Sequence, residues 1–227
     1  HYALGWDSAT SPKYPGTMKI RELLDKARRL VNSIRNSTVQ MDRIKNLAVD
    51  IEDFIPRRLV KDQATRWWST YSMVHRLCDQ KPGIDALYNK YNACTDNPPD
   101  EANELTAREW ESLHFLEALL RPLKDVVKEL EGDHYCTYSM VYPFLLLLKK
   151  KYSYSSSNFN CRLPTETTER TRKRYSLGAL AAPFCDAMCA EMDARFWSDP
   201  NSQLAYTDVA SLLDPYFGLK NIPEDLL

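Results

Sequence analysis

The sequence predicts an all-α protein built as an irregular helical array, and three observations support this. Apolar residues recur at intervals of three and four through most of the 227 residues, which is the spacing of amphipathic helices. Glycine occurs only 6 times, and the 13 prolines lie mostly between the apolar-periodic blocks, which disfavours a β-rich fold with many tight turns. No succession of strand-like alternation is visible.

The helical pattern begins near Met18. Residues 1–17 contain Pro12, Pro15 and Gly16 and are predicted to be an irregular leader, followed by a helical domain over residues 18–227. Within it, residues 18–56 predict two amphipathic helices. The first carries one apolar stripe with basic residues on its outer face, and the second runs from about Met41 to Phe54. Pro56 then stops it, because proline disfavours helix at the preceding residue.

Further helices are predicted over residues 57–227. Thr106 and Glu109 have the spacing of a capping box, which predicts the start of a long helix kinked at Pro122. The other helices are predicted at 65–78, 84–91, 137–152 and 166–197, with a short last helix before Leu213.

A locally basic stretch with an arginine–tryptophan pair is the strongest candidate for a functional site. Its cations, opposed only by Asp62 and Asp79, are Arg57, Arg58, Lys61, Arg66 and Arg76. Cations neutralise phosphates, and an indole such as that of Trp67 can stack on a base. Because the formal net charge is −1, nucleic-acid binding would depend on such local patches.

Two further basic clusters each leave two interpretations open. The outer face of the first helix carries Lys26, Arg28, Arg29 and Arg35, which either track DNA or are solvated. A second cluster comprises Arg170, Arg172, Lys173 and Arg174. It is either a nuclear-import patch or the solvated start of a helix.

Four blocks of this sequence, in order, resemble the hAT family of transposases (the hobo, Activator and Tam3 group). The blocks are Thr65-Arg66-Trp67-Trp68-Ser69-Thr70, Leu105-Thr106 with Glu109-Trp110, Leu130-Glu131-Gly132-Asp133, and Leu212-Leu213-Asp214-Pro215-Tyr216-Phe217. The chain departs from the family pattern at Trp68, Tyr216 and Gly218, where asparagine, arginine and lysine are usual. It is also similar to domesticated transposases that contain a BED zinc finger.

The resemblance implies the helical insertion domain of an RNase H-like transposase, contacting transposon-end or hairpin DNA. Trp67 would stack on a flipped base, Arg66 would engage phosphates, and Ser69 and Thr70 would donate hydrogen bonds to phosphate. The full set of expected DNA-binding residues is Arg57, Arg58, Lys61, Arg66, Trp67, Ser69, Thr70 and Arg76. The alternative for Trp67 is a core position packed with Tyr71 and Val74.

We expect no catalytic residue and no enzymatic activity in this chain, because the family's three metal-binding carboxylates would lie outside it. Magnesium is implied only for a full-length parent, and no cofactor is expected here. No metal site is predicted either. The pair Cys185 and Cys189 with Cys136 and His134 lacks the usual zinc spacing, and buried thiols are favoured. His75 and His114 show no nearby cysteine or carboxylate pattern.

DNA is the expected partner, with homo-oligomerisation through the full-length protein as a further expectation. Neither a membrane nor a small-molecule substrate is expected, and the predicted location is nuclear. The alternative function is a non-catalytic helical scaffold for protein interaction or oligomerisation. The apolar stripe from Leu113 to Leu130 would then support partner helices.

Overall fold

A computed structural model describes residues 15–63, 68–91, 96–131, 137–153, 178–198 and 204–214. Every regular element in these ranges is helical, which confirms the predicted all-α class. The α-helices are α1 (Met18–Asn36), α2 (Thr38–Leu47), α3 (Ser69–Asp79), α4 (Lys81–Tyr91), α5 (Ala107–Leu130), α6 (Val141–Ser153), α7 (Gly178–Met192) and α8 (Leu204–Leu213). Within these ranges no helix is long and apolar enough to cross a membrane.

The described residues form two compact units. One unit holds residues 18–118, and the other holds residues 15–17 together with those from 119 onward. The boundary between the two units lies within α5, inside the single helical domain predicted over residues 18–227. Helix α5 is continuous across this point, so periodicity gives no signal for a boundary there.

Helix α1 buries its predicted apolar stripe. The buried side chains are Ile20, Leu23, Leu24, Ala27, Leu30, Val31 and Ile34. Ser37 separates α1 from α2, and its side chain accepts a hydrogen bond from the Gln40 N–H at the start of α2. This is a standard N-cap, since the first helical N–H groups have no partner within their own helix.

Helix α2 ends earlier than predicted. It stops at Leu47 and tightens into the 3-10 turn Ala48–Asp50, whereas the apolar pattern predicted helix to about Phe54. Ile51, directly after this turn, is extended (φ −110°, ψ 115°), and Asp53 then adopts φ 56°, a left-handed conformation that is incompatible with a right-handed helix. The helix therefore ends several residues before Pro56.

The capping box predicted at the start of α5 is present. The Thr106 N–H donates to Glu109 Oε2 at 2.7 Å, and the Glu109 N–H donates back to Thr106 Oγ1 at 3.3 Å. The Nζ of Lys26, on α1, lies 2.8 Å from the same Glu109 oxygen. The start of α5 is therefore fastened to α1 by a residue that also caps it.

In the second unit, helices α6, α7 and α8 surround a small core. Helix α7 continues into the π-helical turn Asp193–Trp197, and the predicted residues 166–177 of this helix lie outside the described residues. The Tyr152 hydroxyl donates to the Leu119 carbonyl at 2.6 Å. Helix α8 buries Thr207 and Ser211 and leaves larger apolar side chains exposed.

Candidate nucleic-acid interface

Residues 54–63, here called the clamped segment, have no regular secondary structure. Their backbone groups are held by side chains of neighbouring helices. Gln80, which is buried at the end of α3, accepts from the Arg57 N–H at 2.7 Å and donates to the Ile55 carbonyl at 3.1 Å. Backbone polar groups near a protein interior need such partners, so Gln80 fixes the course of this segment.

Two arginines clamp the next part of the segment. Arg76, on α3, donates to the Arg58 carbonyl at 3.0 Å, and Arg35, on α1, donates to the Leu59 carbonyl at 3.1 Å. Leu59 is buried, whereas Arg57 and Arg58 are exposed. The segment is thus anchored by one apolar side chain and presents two guanidinium groups to solvent.

Asp62 connects the clamped segment to both α1 and α3. Its side chain is only 5% exposed and lies 2.6 Å from the Arg28 Nη2. Ser69 Oγ donates to Asp62 Oδ1 at 2.6 Å, and Thr70 Oγ1 lies 3.1 Å from both carboxylate oxygens. Burial alone would raise the pKa of Asp62, but the hydrogen bonds from Ser69, Arg28 and Thr70 and the charge of Arg28 lower it.

The hydroxyls of Ser69 and Thr70 are therefore engaged inside the unit. Ser69 is buried and also accepts from the Gln63 N–H at 3.0 Å. Both residues were predicted from the sequence as phosphate donors. In the structure they organise the start of α3 around Asp62, so both hydroxyls already donate within the unit.

Thr65, Arg66 and Trp67 lie outside the described residues. Helix α3 begins at Ser69, not at the predicted Thr65, and the half-buried Trp68 precedes it without a side-chain capping bond. The hydrogen bond between Gln63 and Ser69 fixes the two flanks of residues 64–67.

The remaining predicted cations are divided in their roles. Lys61 donates to Asn36 Oδ1 at 2.9 Å. Arg57 Nη1 lies 3.9 Å from Asp79 Oδ2, which is a long ion pair. On the outer face of α1, Lys26 pairs with Glu109, Arg28 with Asp25 and Asp62, and Arg35 with a backbone carbonyl. Three of the four basic residues of that face therefore serve internal contacts, and Arg29 is exposed.

A cluster of ligand-type side chains was missed in the sequence. Cys78 on α3 meets His114 and Glu117 on α5, with one potential ligand atom from each within 4.8 Å of the others. His75 Nδ1 also lies 3.0 Å from Glu117 Oε1. The expectation that both histidines lack nearby cysteine or carboxylate is therefore wrong. The His114-x-x-Glu117 spacing was a visible signal, but the cysteine comes from a different helix.

The other cysteine group considered in the sequence is only partly described, since His134 and Cys136 lie outside the described residues. Burial, together with Cys189 and Asp186, raises the pKa of Cys185 to about 11, which keeps it a protonated thiol at neutral pH. The Cys189 Sγ lies 3.7 Å from Ser153 Oγ.

Residues 16–119 match the family model of the ZBED1 RNase-like helical domain. The matched range contains the clamped segment, all of α3 and the first half of α5. It agrees with the resemblance to hAT-type transposases that the sequence blocks indicate. Comparison with curated proteins and with solved structures gave no match.

Proposed function

Because residues 16–119 match the ZBED1 RNase-like helical domain, we propose that this chain is a DNA-contacting segment derived from a hAT-type transposase. Its contact surface comprises Arg57, Arg58, Lys61, Arg66, Trp67 and Arg76. The expected ligand is a transposon-end or hairpin DNA. The chain contacts this DNA without carrying out cleavage.

The observation that supports this proposal most is the geometry of the clamped segment. Hydrogen bonds with Gln80, Arg76 and Arg35 fix its backbone, while Arg57 and Arg58 are exposed to solvent. A guanidinium on a fixed backbone loses less conformational entropy when it binds a phosphate. Of the acidic side chains nearby, Asp62 is already neutralised by Arg28.

Trp67 and Arg66 extend this surface in the proposal. Gln63, the last residue of the clamped segment, precedes them, and its N–H donates to Ser69 Oγ, on the other side of the pair. A flipped or unpaired base costs a few kcal/mol of lost stacking, and an aromatic platform returns about 1–3 kcal/mol. A tryptophan that closely follows these cations in the sequence therefore suits a DNA end or hairpin better than a continuous duplex.

The test is binding of the whole chain to hairpin-ended and blunt duplex DNA at several salt concentrations. Trp67→Ala should reduce the hairpin preference by about 1–3 kcal/mol. The double variant Arg57→Ala/Arg58→Ala should lower the magnitude of the salt slope by about 0.9 for each lost phosphate contact. Lys45→Ala is the matched control, because Lys45 is an exposed cation of the same unit that pairs with Asp42.

The proposal is wrong if the arginine variants and Lys45→Ala give the same salt slope, or if the wild type shows no DNA binding. Circular dichroism checks that each variant keeps its helices. A nuclease assay, in which the protein is incubated with labelled DNA and magnesium, tests whether the chain cleaves DNA, and we expect the DNA to stay intact. The proposal is contradicted if the protein cleaves the DNA and substitution of its own carboxylates abolishes that cleavage.

A helical interaction scaffold is the second candidate, and α8 favours it. Tyr206 and Leu213 are 71% and 78% exposed, and Val209 is 53% exposed. These positions are three and four residues apart and share one helix face. Exposed apolar faces often contact partners. If this is the main function, Tyr206→Ser/Val209→Ser should shift the sedimentation behaviour of the protein while DNA binding is absent throughout.

A further inference from the structure

Three side chains of different chemistry meet between α3 and α5. Cys78, His114 and Glu117 are 5%, 7% and 9% exposed, and one sulfur, one ring nitrogen and one carboxylate oxygen lie within 4.8 Å of each other. All three belong to the first unit. A thiol, an imidazole and a carboxylate are the ligand types that zinc takes in proteins.

His114 supplies an independent observation. Its Nε2 is buried and has no hydrogen-bond partner. Buried polar atoms nearly always have a hydrogen-bond partner, so one without a partner calls for an explanation. Coordination to a metal ion would give this nitrogen its missing partner.

We propose that Cys78, His114 and Glu117 form a divalent-metal site of the zinc class. On binding, the Cys78 thiol releases its proton to solvent and the thiolate sulfur bonds the ion. One thiolate and one carboxylate then balance the 2+ charge, which a buried site requires. With metal–ligand bonds of about 2.0–2.3 Å, the three atoms need to move together by only about 1 Å.

His75 contacts the carboxylate of the cluster from the solvent side. Its Nδ1 lies 3.0 Å from Glu117 Oε1, and its ring stacks on Tyr71 with centroids 5.5 Å apart. Such a partner orients a ligating carboxylate, and its removal typically weakens metal binding about 10–100-fold. We therefore assign His75 as a positioning residue, with a water molecule as the fourth metal ligand.

The site would fasten α3 to α5. Helix α3 also carries Arg76, which clamps the Arg58 carbonyl, so the metal would stabilise the element that supports the clamped segment. The metal site does not require DNA binding by the chain.

Cobalt titration of the reduced, chelator-stripped full chain tests the site. Co²⁺ reports ligation directly, through a sulfur-to-cobalt charge-transfer band in the near ultraviolet and intense visible bands when it is tetrahedral. We expect one equivalent to bind and zinc to displace it. Cys78→Ser and His114→Ala should lose the bands and weaken binding about 100-fold or more, and His75→Gln should weaken it about 10–100-fold with the bands retained.

Cys189→Ser is the matched control, since Cys189 is a thiol of the other unit. It should keep the full spectrum. The proposal is overturned if the wild type gives no charge-transfer band, or if the band survives in Cys78→Ser or disappears in Cys189→Ser.

A second measurement uses only the wild type, in case a variant fails to fold. Saturating zinc should slow alkylation of the Cys78 peptide at least tenfold and leave the Cys189 peptide unchanged, as read by mass spectrometry. Equal alkylation rates of Cys78 with and without zinc would contradict the site.

Discussion

The side-chain amide of Gln80 holds the backbone of Arg57, with Oε1 2.7 Å from the Arg57 nitrogen. The same amide donates to the Ile55 carbonyl, so one buried residue satisfies a donor and an acceptor of an irregular segment. The guanidinium of Arg57 takes no part in this and is half exposed. Backbone position and side-chain charge are therefore controlled by different contacts.

Replacing Gln80 by leucine should destabilise the protein by about 1–3 kcal/mol, because it leaves a donor and an acceptor of the clamped segment without partners. Urea denaturation measures this change. Gln63→Leu is the control: Gln63 is exposed and donates through its backbone N–H, so its substitution should change stability by less than about 0.5 kcal/mol. Equal effects of the two variants would refute the role of Gln80.

The negative charge of Asp62 should contribute more to the stability of the protein than its side-chain volume does. Asp62→Asn keeps the side-chain volume but removes the pairing with Arg28 and weakens the bonds from Ser69 and Thr70. We expect a loss of about 1.5–3 kcal/mol, since hydrogen bonds to charged groups are the stronger ones.

The matched control for this variant is Asp42→Asn, because the Asp42–Lys45 pair is exposed on both sides. Exposed pairs contribute only about 0–1 kcal/mol. Thermal unfolding measures the loss of stability in both variants. Equal losses in Asp42→Asn and Asp62→Asn would contradict the special role of the Asp62 charge.

Stability should fall as the pH drops below about 4.5. Burial would raise the pKa of Glu109, but hydrogen bonds from Lys26 and Thr106 and the charge of Lys26 lower it below its ordinary value of 4.5, and the pKa of Asp62 is lowered below 3.8. Between the folded and unfolded pKa values the unfolded state binds more protons, so protonation favours unfolding. Both contributions are present above the unfolded pKa values and are lost as pH falls through the folded ones.

Urea denaturation at pH values between 6 and about 3 measures this dependence. The double variant Asp62→Asn/Glu109→Gln should show a flatter decline than the wild type. If the free energy of unfolding falls with pH as steeply in the double variant as in the wild type, other carboxylates cause the acid sensitivity.

Gly83→Ala should destabilise the first unit. A Cβ at this position would lie 2.6 Å from Cζ of Phe54 and 3.0 Å from a methyl carbon of Ile44. Overpacking of this kind costs about 1–3 kcal/mol, which outweighs the higher helix propensity of alanine in α4.

Phe54→Leu provides the internal check, because it shortens the side chain that the added methyl group would meet. A double-mutant cycle should show that Gly83→Ala costs less in the Phe54→Leu background than in the wild type. A cost that is equal in both backgrounds would place the strain elsewhere.

Most helices could be predicted from the periodicity of their apolar residues. Helix ends could be predicted where the sequence shows a capping motif. The buried stripe of α1 and the capping box at Thr106 and Glu109 follow from spacing alone. The end of α2 was predicted too late, because the left-handed backbone of Asp53 has no strong signal in a single sequence. Helix α3 begins at Ser69, and the bonds of the Ser69 hydroxyl with Asp62 and Gln63 join the helix to a segment whose course periodicity does not show.

The all-α class, the amphipathic faces and the resemblance carried by the motifs could all be read from the chain alone, since periodicity and caps are local properties. Helix packing, by contrast, decides which charged side chains form ion pairs within the protein. Lys26 and Glu109 are 83 positions apart, and Arg28 and Asp62 are 34 apart, so no local pattern pairs them. The meeting of Cys78 with His114 and Glu117 has the same origin: helix packing sets which faces touch, and periodicity shows only that each helix has a buried face.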